Sequence, residues 1–316
     1  MPPDRQNQML ADGFRANLGA PPFALARLRG GGAAVWSAQT LNLVARSEDR
    51  LIDGPRGPIP IRLYWPNDRE PVGVLTYFHG GGFVTGGLDT VDGICRVLSD
   101  RADCVVISVD YRLAPEHKFP AGLEDAYAAF QWAVGNAGAL GAPARVAVGG
   151  DSAGGNFAAV CCLMARDRAE PLPIFQLLIY PGVNLKVATP ERTALAAAGY
   201  LLTPAVIDWL NGFYCERESD FLNPYCAPVH ARNLKDLPPA LVVAGEYDPL
   251  RFEGETYAAR LRGADVEAVY SQYANSVHGF VNAFEFVDTG RAALMECGEA
   301  LKRAFTASSV TAASPA

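Results

Sequence analysis

Gly150-Asp151-Ser152-Ala153-Gly154 follows an apolar run, residues 144–149, and precedes a run of small and apolar residues, 156–163. The pattern predicts a strand, a glycine-tight turn with Ser152 at its apex, and then a helix. Glycine is needed on both sides of such a turn, because a Cβ atom there clashes with the neighbouring backbone. The G-x-S-x-G spacing in this context is typical of a nucleophile elbow, which exposes a serine hydroxyl above the edge of a sheet.

The composition is that of a globular protein with a full hydrophobic core. Of the 316 residues, 50% are hydrophobic and 19% are charged, which suits one α/β domain with an elaboration. A nucleic-acid partner calls for a basic face, and the net charge of −7 argues against one. No apolar stretch approaches the roughly 18 residues of a membrane span, and the polar residues at the N-terminus predict no signal peptide.

Cysteine usage indicates a reducing compartment. The seven cysteines are an odd number without a C-x-x-C pair, and Cys161 and Cys162 are adjacent in the helix predicted after the elbow. Free thiols of this kind are usually small buried core residues. We therefore expect Cys161 and Cys162 to pack in the core, and we expect a cytoplasmic location for the protein.

Strands and helices alternate along the chain, and the first two strands are predicted to enter the sheet as an antiparallel pair. The predicted strands span residues 43–51, 59–65, 72–79, 105–111, 144–149, 174–180, 240–245 and 266–272. The predicted helices among them span residues 89–101, 122–134, 154–168, 252–263 and 291–304. This alternation predicts an α/β fold with a mostly parallel central sheet of about eight strands, covered by helices on both faces.

The N-terminal segment, residues 1–45, has a helical pattern that is interrupted by Pro21-Pro22 and by Gly30-Gly31-Gly32. The glycine triplet lacks both the preceding strand and the following Gly-Lys-Ser/Thr of a phosphate loop, so we interpret it as a connector.

A second segment, residues 185–225, contains one predicted helix, Pro204–Tyr214, and no clear strand, which indicates an insertion above the sheet. The remaining α/β domain spans residues 46–305, and residues 306–316, rich in Ser, Ala and Thr, are predicted to be a disordered tail.

The serine of an elbow needs a base to take its proton, and the base needs an acid to hold its tautomer. The four histidines are His79, His117, His230 and His278. Functional groups of parallel sheets gather at the carboxyl ends of strands, which favours His79 and His278. The chain order of serine, acid and histidine that accompanies a nucleophile elbow then selects His278 as the base.

The acid is expected between Ser152 and His278, directly after a strand. Residues 241–250 supply two carboxylates there, Glu246 and Asp248. We favour Asp248, because it lies deeper in the loop and Pro249 restricts the backbone after it. Glu246 is the alternative acid, and it could instead be a structural carboxylate that caps the same loop.

Attack on a carbonyl group develops an oxyanion, which preorganised backbone amides stabilise. His79-Gly80-Gly81-Gly82-Phe83 follows a predicted strand, in the position where enzymes with a nucleophile elbow have an HGGG loop. We assign the donors to the amides of Gly81, Gly82 and Ala153. His79 is expected to fix this loop by hydrogen bonds rather than to take part in chemistry.

Five ordered motifs resemble the bacterial hormone-sensitive lipase family, the family IV esterases, of α/β-hydrolases. The resemblance spans roughly residues 60–305. The motifs are His79-Gly80-Gly81-Gly82-Phe83, Tyr111-Arg112-Leu113-Ala114-Pro115-Glu116, Gly150-Asp151-Ser152-Ala153-Gly154-Gly155, Asp248-Pro249-Leu250 and His278-Gly279-Phe280. The resemblance implies that Ser152 is the nucleophile, His278 the base and Asp248 the orienting acid. It also places Asn156 in the family pattern, in support of the elbow.

The resemblance further implies hydrolysis of carboxylic esters with short to medium acyl chains, without a cofactor. It implies a cap made of residues 1–45 and 185–225, and a homodimer formed through the last strand, near 266–272. The substrate is then a small-molecule ester. A pocket under the cap would use the large apolar residues of these segments, although ordinary packing is the usual role of such residues. They are Phe23, Trp36, Tyr200, Leu201, Leu202, Trp209 and Phe213.

Three other functions stay open from the residues alone. The same Ser152, Asp248 and His278 could act on an amide, a formamide or a lactone. A non-catalytic small-molecule binder on this scaffold usually lacks one of the three residues, all of which are present here. A metal-dependent hydrolase would need ligand clusters such as His-x-x-x-His, which the sequence lacks.

Overall fold

A computed structural model describes residues 2–19, 24–29, 36–186 and 189–307 of the chain. Within these ranges eight strands form one sheet. The strands are β1 (Val44–Gly54), β2 (Gly57–Pro66), β3 (Val74–Phe78), β4 (Val105–Val109), β5 (Val146–Asp151), β6 (Gln176–Ile179), β7 (Ala240–Gly245) and β8 (Ala268–Tyr273). Each predicted strand is therefore present, with its bounds shifted by a few residues.

Ten α-helices lie in the described ranges. They are α1 (Arg5–Leu18), α2 (Leu25–Arg29), α3 (Ala38–Leu41), α4 (Asp92–Ala102), α5 (Ala121–Asn136), α6 (Ala153–Asp167), α7 (Pro190–Ala197), α8 (Pro204–Tyr214), α9 (Arg251–Arg262) and α10 (Asp288–Thr306). Short 3₁₀ turns occur at Leu88–Thr90, Gly138–Leu140, Glu218–Leu222 and Pro228–His230.

The strands are ordered β1-β2-β4-β3-β5-β6-β7-β8 across the sheet. β1 pairs with β2, and β2 with β4, in antiparallel orientation. All the pairings from β4 through β3 to β8 are parallel. The prediction of an antiparallel entry to a mostly parallel sheet is confirmed, and β5, which ends at the elbow, lies in the interior of the sheet.

Helices cover both faces of the sheet because its central strands are apolar on both sides. In β3 every residue is buried, and successive side chains alternate between two core clusters. Val74 and Phe78 pack in one cluster with residues of α5, α6 and α9. Leu75 and Tyr77 pack in the other with residues of α4 and α10. A continuous apolar strand in the sequence thus corresponds to a strand that is buried on both faces.

The seven cysteines are free and buried. Cys161 and Cys162 lie on α6 and are fully inaccessible to solvent, so the prediction of core packing is confirmed for both.

The two segments outside the α/β alternation pack against each other. Leu18 of α1 forms an apolar cluster with Leu201, Leu202, Val206 and Leu250. The predicted helix at 204–214 is present as α8, whereas α7 was not predicted. Pro21-Pro22 and Gly30-Gly31-Gly32 lie outside the described residues.

The C-terminal tail was predicted to begin at residue 306, but Thr306 is the last residue of α10. Residues 308–316 of that prediction lie outside the described residues. Among the helices in the described ranges, none combines the length and the apolar character needed to cross a membrane.

Candidate active site

Ser152 lies at the turn between β5 and α6 with a backbone φ of 55°. This left-handed conformation is unusual for a residue with a side chain and stores strain that the surrounding packing has to offset. A Cβ atom at Gly154 would overlap the carbonyl oxygen of Phe78, and one at Gly150 would be 2.5 Å from the same oxygen. The glycines of the motif are therefore required by the close approach of β3.

A chain of hydrogen bonds connects the three residues predicted to act together. His278 Nε2 lies 3.0 Å from Ser152 Oγ, and His278 Nδ1 lies 2.6 Å from Asp248 Oδ2. An ionised carboxylate only accepts hydrogen bonds, so Nδ1 donates to Asp248 and Nε2 is left to accept from the serine hydroxyl. The fold brings together residues that are 126 and 30 positions apart in the sequence.

Asp248 is held in place by the loop after β7. Its side chain is fully buried, and its second oxygen, Oδ1, accepts from the amide of Leu250 at 2.8 Å. The alternative acid, Glu246, accepts instead from the amide of Asn275 at 2.9 Å, in the loop that leads to His278. Of the two carboxylates, Asp248 contacts His278, and Glu246 supports the loop.

The HGGG loop lines the same cavity as Ser152. Gly81 and Gly82 have φ values of +119° and +60°, and a Cβ atom at Gly81 would overlap the carbonyl oxygen of Thr85. Within the described residues, the backbone amides of Gly81, Gly82 and Ala153 donate to no protein acceptor. Three unpaired donors near one serine form a group that can receive an anionic oxygen.

Asp151, directly before the serine, has a role that the sequence analysis missed. Its buried carboxylate accepts from the hydroxyl of Tyr77 at 2.9 Å and from the amide of Gly80 at 3.0 Å. Burial raises its pKa, and the hydrogen bonds from Tyr77, Asn282 and Gly80 oppose that rise. Asp151 thus links the elbow to the HGGG loop. The only sign of this role in the sequence is an acidic residue at the end of an apolar strand.

His79 fixes the HGGG loop, as predicted. It is fully buried, its Nδ1 lies 2.7 Å from the carbonyl oxygen of Gly80, and its ring stacks on Tyr111 at 4.1 Å. The Tyr111 hydroxyl donates to the carbonyl oxygen of His79 at 2.6 Å. Burial lowers the pKa of His79 to about 4, which keeps the ring neutral at physiological pH.

Asn156 stabilises the start of α6 through two hydrogen bonds. Its side-chain amide donates to the carbonyl oxygens of Gly182 and Cys226, at 2.7 Å and 2.8 Å. The predicted support for the elbow therefore comes from bonds to the loops after β6 and before β7.

The cavity above Ser152 has a volume of about 1450 Å³. Of the apolar residues predicted to line it, Leu201 and Leu202 do so. Trp36 stacks on Phe284, Tyr200 packs on Tyr247, and Trp209 packs on Phe213, all away from the cavity lining. Phe23 lies outside the described residues. Further apolar lining residues are Phe14, Leu28, Ile207, Leu210 and Leu250.

In the part of the chain that the structure describes, no three His, Cys, Asp or Glu side chains are grouped so that they could hold a metal ion.

Comparison with known proteins places the chain in one family. A family model described as alpha/beta hydrolase fold matches residues 75–282. The chain is 46% identical over 265 residues to the carboxylic ester hydrolase LipN of Mycobacterium tuberculosis, over 80% of this chain and 69% of LipN. It is 39% identical over 241 residues to an arylesterase of Saccharolobus solfataricus, over 76% of this chain and 78% of the arylesterase.

A solved structure gives the same result. The hyperthermophilic esterase from the archaeon Pyrobaculum calidifontis superposes with a TM-score of 0.87 at 41% identity, over 96% of this chain and 98% of that chain. The family model, the relatives and this superposition show that the chain belongs to the bacterial hormone-sensitive lipase family of α/β-hydrolases.

Proposed function

We propose that this protein is a serine carboxylesterase that hydrolyses small-molecule esters with short to medium acyl chains. The observation that supports this most is the hydrogen-bond chain from Ser152 Oγ through His278 to Asp248, next to three unpaired backbone amides. The relatives named above are called esterases and carboxylic ester hydrolases, which favours an ester over an amide or a lactone.

In the proposed reaction Ser152 Oγ attacks the ester carbonyl carbon while His278 Nε2 takes the hydroxyl proton. The amides of Gly81, Gly82 and Ala153 stabilise the oxyanion, and the alcohol leaves with the proton from His278. A water molecule then gives a proton to His278 and attacks the acyl-enzyme. His278 returns this proton to Ser152 Oγ as the carboxylic acid leaves. Asp248 does not change its protonation state; it orients the ring and stabilises the imidazolium.

We infer that residues 1–45 and 185–225 form a cap over a catalytic domain at 46–305. The apolar cluster around Leu18, Leu202 and Leu250 joins both segments to the loop after β7. Side chains of α1 and α8, Phe14 and Leu210, line the cavity together with Ser152. An apolar lining of this kind suits acyl and alcohol groups without charge.

A reducing, cytoplasmic setting fits the cysteines. All seven are free and buried, and burial raises the pKa of the thiols of Cys95, Cys104, Cys161, Cys162 and Cys297. Neutral buried thiols are poor nucleophiles and are inert in a reducing compartment.

The test is hydrolysis of p-nitrophenyl esters from C2 to C16 by the wild type and by Ser152→Ala. We expect activity that is highest on short and medium chains and a loss of at least about 10³-fold in kcat for the variant. Ser47→Ala, at an exposed position of β1, is the matched control and should retain wild-type activity.

Two outcomes would contradict the proposal in different ways. Activity that survives in Ser152→Ala would mean that another group is the nucleophile. A wild type that is inert on every ester but reacts covalently with a fluorophosphonate at Ser152 would instead favour an amide or lactone substrate.

A further inference from the structure

A buried ion pair connects the insertion to the core at the wall of the catalytic cavity. Arg192, on α7, has its Nη1 2.9 Å from Oε2 of Glu253, in the first turn of α9. Arg192 is 5% exposed and Glu253 is 4% exposed. The two side chains also share Asn184, whose amide donates to Glu253 Oε1 and whose carbonyl accepts from Arg192, both at 3.0 Å.

A buried ion pair of this kind is not needed for the stability of the fold. Burying two charges costs desolvation energy, and apolar residues of similar volume are often as good or better in the same place. The cost is visible in this protein, because burial raises the pKa of Glu253 to about 8 against the opposing effect of Arg192. The location of the pair therefore calls for a functional explanation.

The pair stands between two cavities. The catalytic cavity of about 1450 Å³ and a second cavity of about 340 Å³ have three lining residues in common, namely Asn184, Arg192 and Glu253. The rest of the second cavity lies between α7 and α9, with Thr189 and Phe252 among its described lining residues. Its volume falls within the range of small-molecule sites, so it has room for several carbon atoms.

We propose that Arg192 is the end wall of the substrate cavity and limits the length of the ester arm that fits beneath the insertion. Glu253 and the Asn184 carbonyl hold the guanidinium between the two cavities, at the position where both are lined by the same residues. An apolar chain that reaches the guanidinium is stopped by its bulk. Arg192 is thus a specificity-determining residue, and this assignment rests on the proposed esterase function.

The test compares Arg192→Ala, which removes the wall, with Arg192→Met, which keeps most of its bulk without the charge. Two substrate series are used: p-nitrophenyl esters from C2 to C16, and acetates of straight-chain alcohols of increasing length. For each protein, kcat/KM of every long substrate is divided by kcat/KM of the shortest substrate in the same series. Because ratios are compared, a uniform loss of activity does not affect the result.

For Arg192→Ala we expect the ratio of kcat/KM between long and short substrates to rise about tenfold or more. The rise should appear in at least one of the two series, for the chain lengths that the wild type cleaves poorly. Arg192→Met should keep the wild-type ratio. If the orphaned Glu253 prevents folding of Arg192→Ala, the double variant Arg192→Ala/Glu253→Gln removes that charge, and Glu253→Gln alone is its control.

Three outcomes would overturn the assignment. An unchanged chain-length profile for Arg192→Ala on both series would exclude Arg192 as the wall. An equal shift in Arg192→Met would mean that charge rather than bulk sets the limit. In both cases the wild type still cleaves the shortest esters, so the proposed function stands. A wild type without any esterase activity would remove both proposals.

Discussion

Backbone conformation at single residues decides whether the site can form. Ser152 has a positive φ, and Gly81 and Gly82 have φ values that other residues rarely adopt. These strained positions follow the ends of β3 and β5, and in the proposed reaction the glycine amides and the Ser152 hydroxyl face one oxygen atom.

Gly81→Ala is expected to abolish most of the activity. The new Cβ atom would overlap the carbonyl oxygen of Thr85, and φ of +119° is unfavourable for alanine, so the loop and its amides have to move. Loss of an oxyanion donor predicts a kcat lower by about 10²–10³-fold. Steady-state kinetics on p-nitrophenyl acetate measure this.

Gly135→Ala is the control for the substitution of glycine by alanine at a position away from the active site. Gly135 lies in α5 with open space around its Cβ position, so alanine there should raise stability by about 0.5–1 kcal/mol and leave kcat unchanged. A folded Gly81→Ala with wild-type kcat would disprove the assignment of this loop.

The lowered pKa of His79 predicts that the stability of the folded protein depends on pH. Its folded pKa is about 4 and that of the free side chain is 6.5. Above pH 6.5 the ring is neutral in both states. As the pH falls from 6.5 to 4, the unfolded chain binds a proton that the folded protein does not, so the unfolding free energy decreases, by about 3 kcal/mol in total.

Urea unfolding of wild type and His79→Gln at pH 7.5, 6, 5 and 4.5 isolates this contribution from that of the carboxylates. We expect the wild type to lose stability faster than the variant as the pH is lowered. Parallel curves for the two proteins would mean that folding does not lower the pKa of His79.

At the scale of elements, α8 illustrates how local signals start a helix whose position depends on packing. Thr203 is the N-cap, its side chain accepts from the amide of Val206, and Pro204 occupies the first helical position. These signals are readable in the sequence, and α8 was predicted within its observed bounds.

Thr203→Ala should therefore weaken α8 by about 1 kcal/mol, because it removes the acceptor for an N-terminal amide. Hydrogen exchange is expected to be faster in the amides of α8 and unchanged in α9. Thr203→Ser, which keeps the hydroxyl oxygen, is the matched control. Equal exchange rates in the two variants would show that the cap bond does not stabilise the helix.

The neighbouring helix α7 was missed because its sequence pattern is weak. Its eight residues are mostly small or charged, and only Arg192 and Ala196 are buried. Arg192 is a charged residue, which a periodicity argument assigns to the surface. Its burial depends on Glu253, a partner 61 positions away that no local pattern indicates.

At the scale of the whole molecule, the sheet has an edge at β8, which pairs only with β7 among the described strands. Val269, within this strand, is 50% exposed. An exposed edge strand is a surface through which two copies can pair, and the dimer predicted near 266–272 would use this strand.

Sedimentation should then give about twice the chain mass of 33.7 kDa, since pairing of the two β8 edges makes one continuous sheet. Val269→Lys is expected to yield the monomer, because charged residues on an edge strand prevent pairing. A wild type that sediments as a monomer at all concentrations would remove the dimer prediction.

The eight strands, the elbow and the family could be predicted from the sequence, whereas α7 could not. Each depends on neighbouring residues: an apolar run fixes a buried strand, and Gly150 and Gly154 mark a turn in which a Cβ atom has no room. The chain order of the motifs favoured His278 as the base, and the loop position before Pro249 favoured Asp248 over Glu246 as the acid.

The contacts between residues that are distant in the chain could be read only from the folded protein. Asp151 bonds the Gly80 amide because β3 and β5 are adjacent in the sheet, although they are far apart in the chain. Arg192 meets Glu253 because the insertion folds back over α9. Local patterns specify backbone conformation, whereas these contacts depend on strand order and on helix packing, which arise from burial of the whole core.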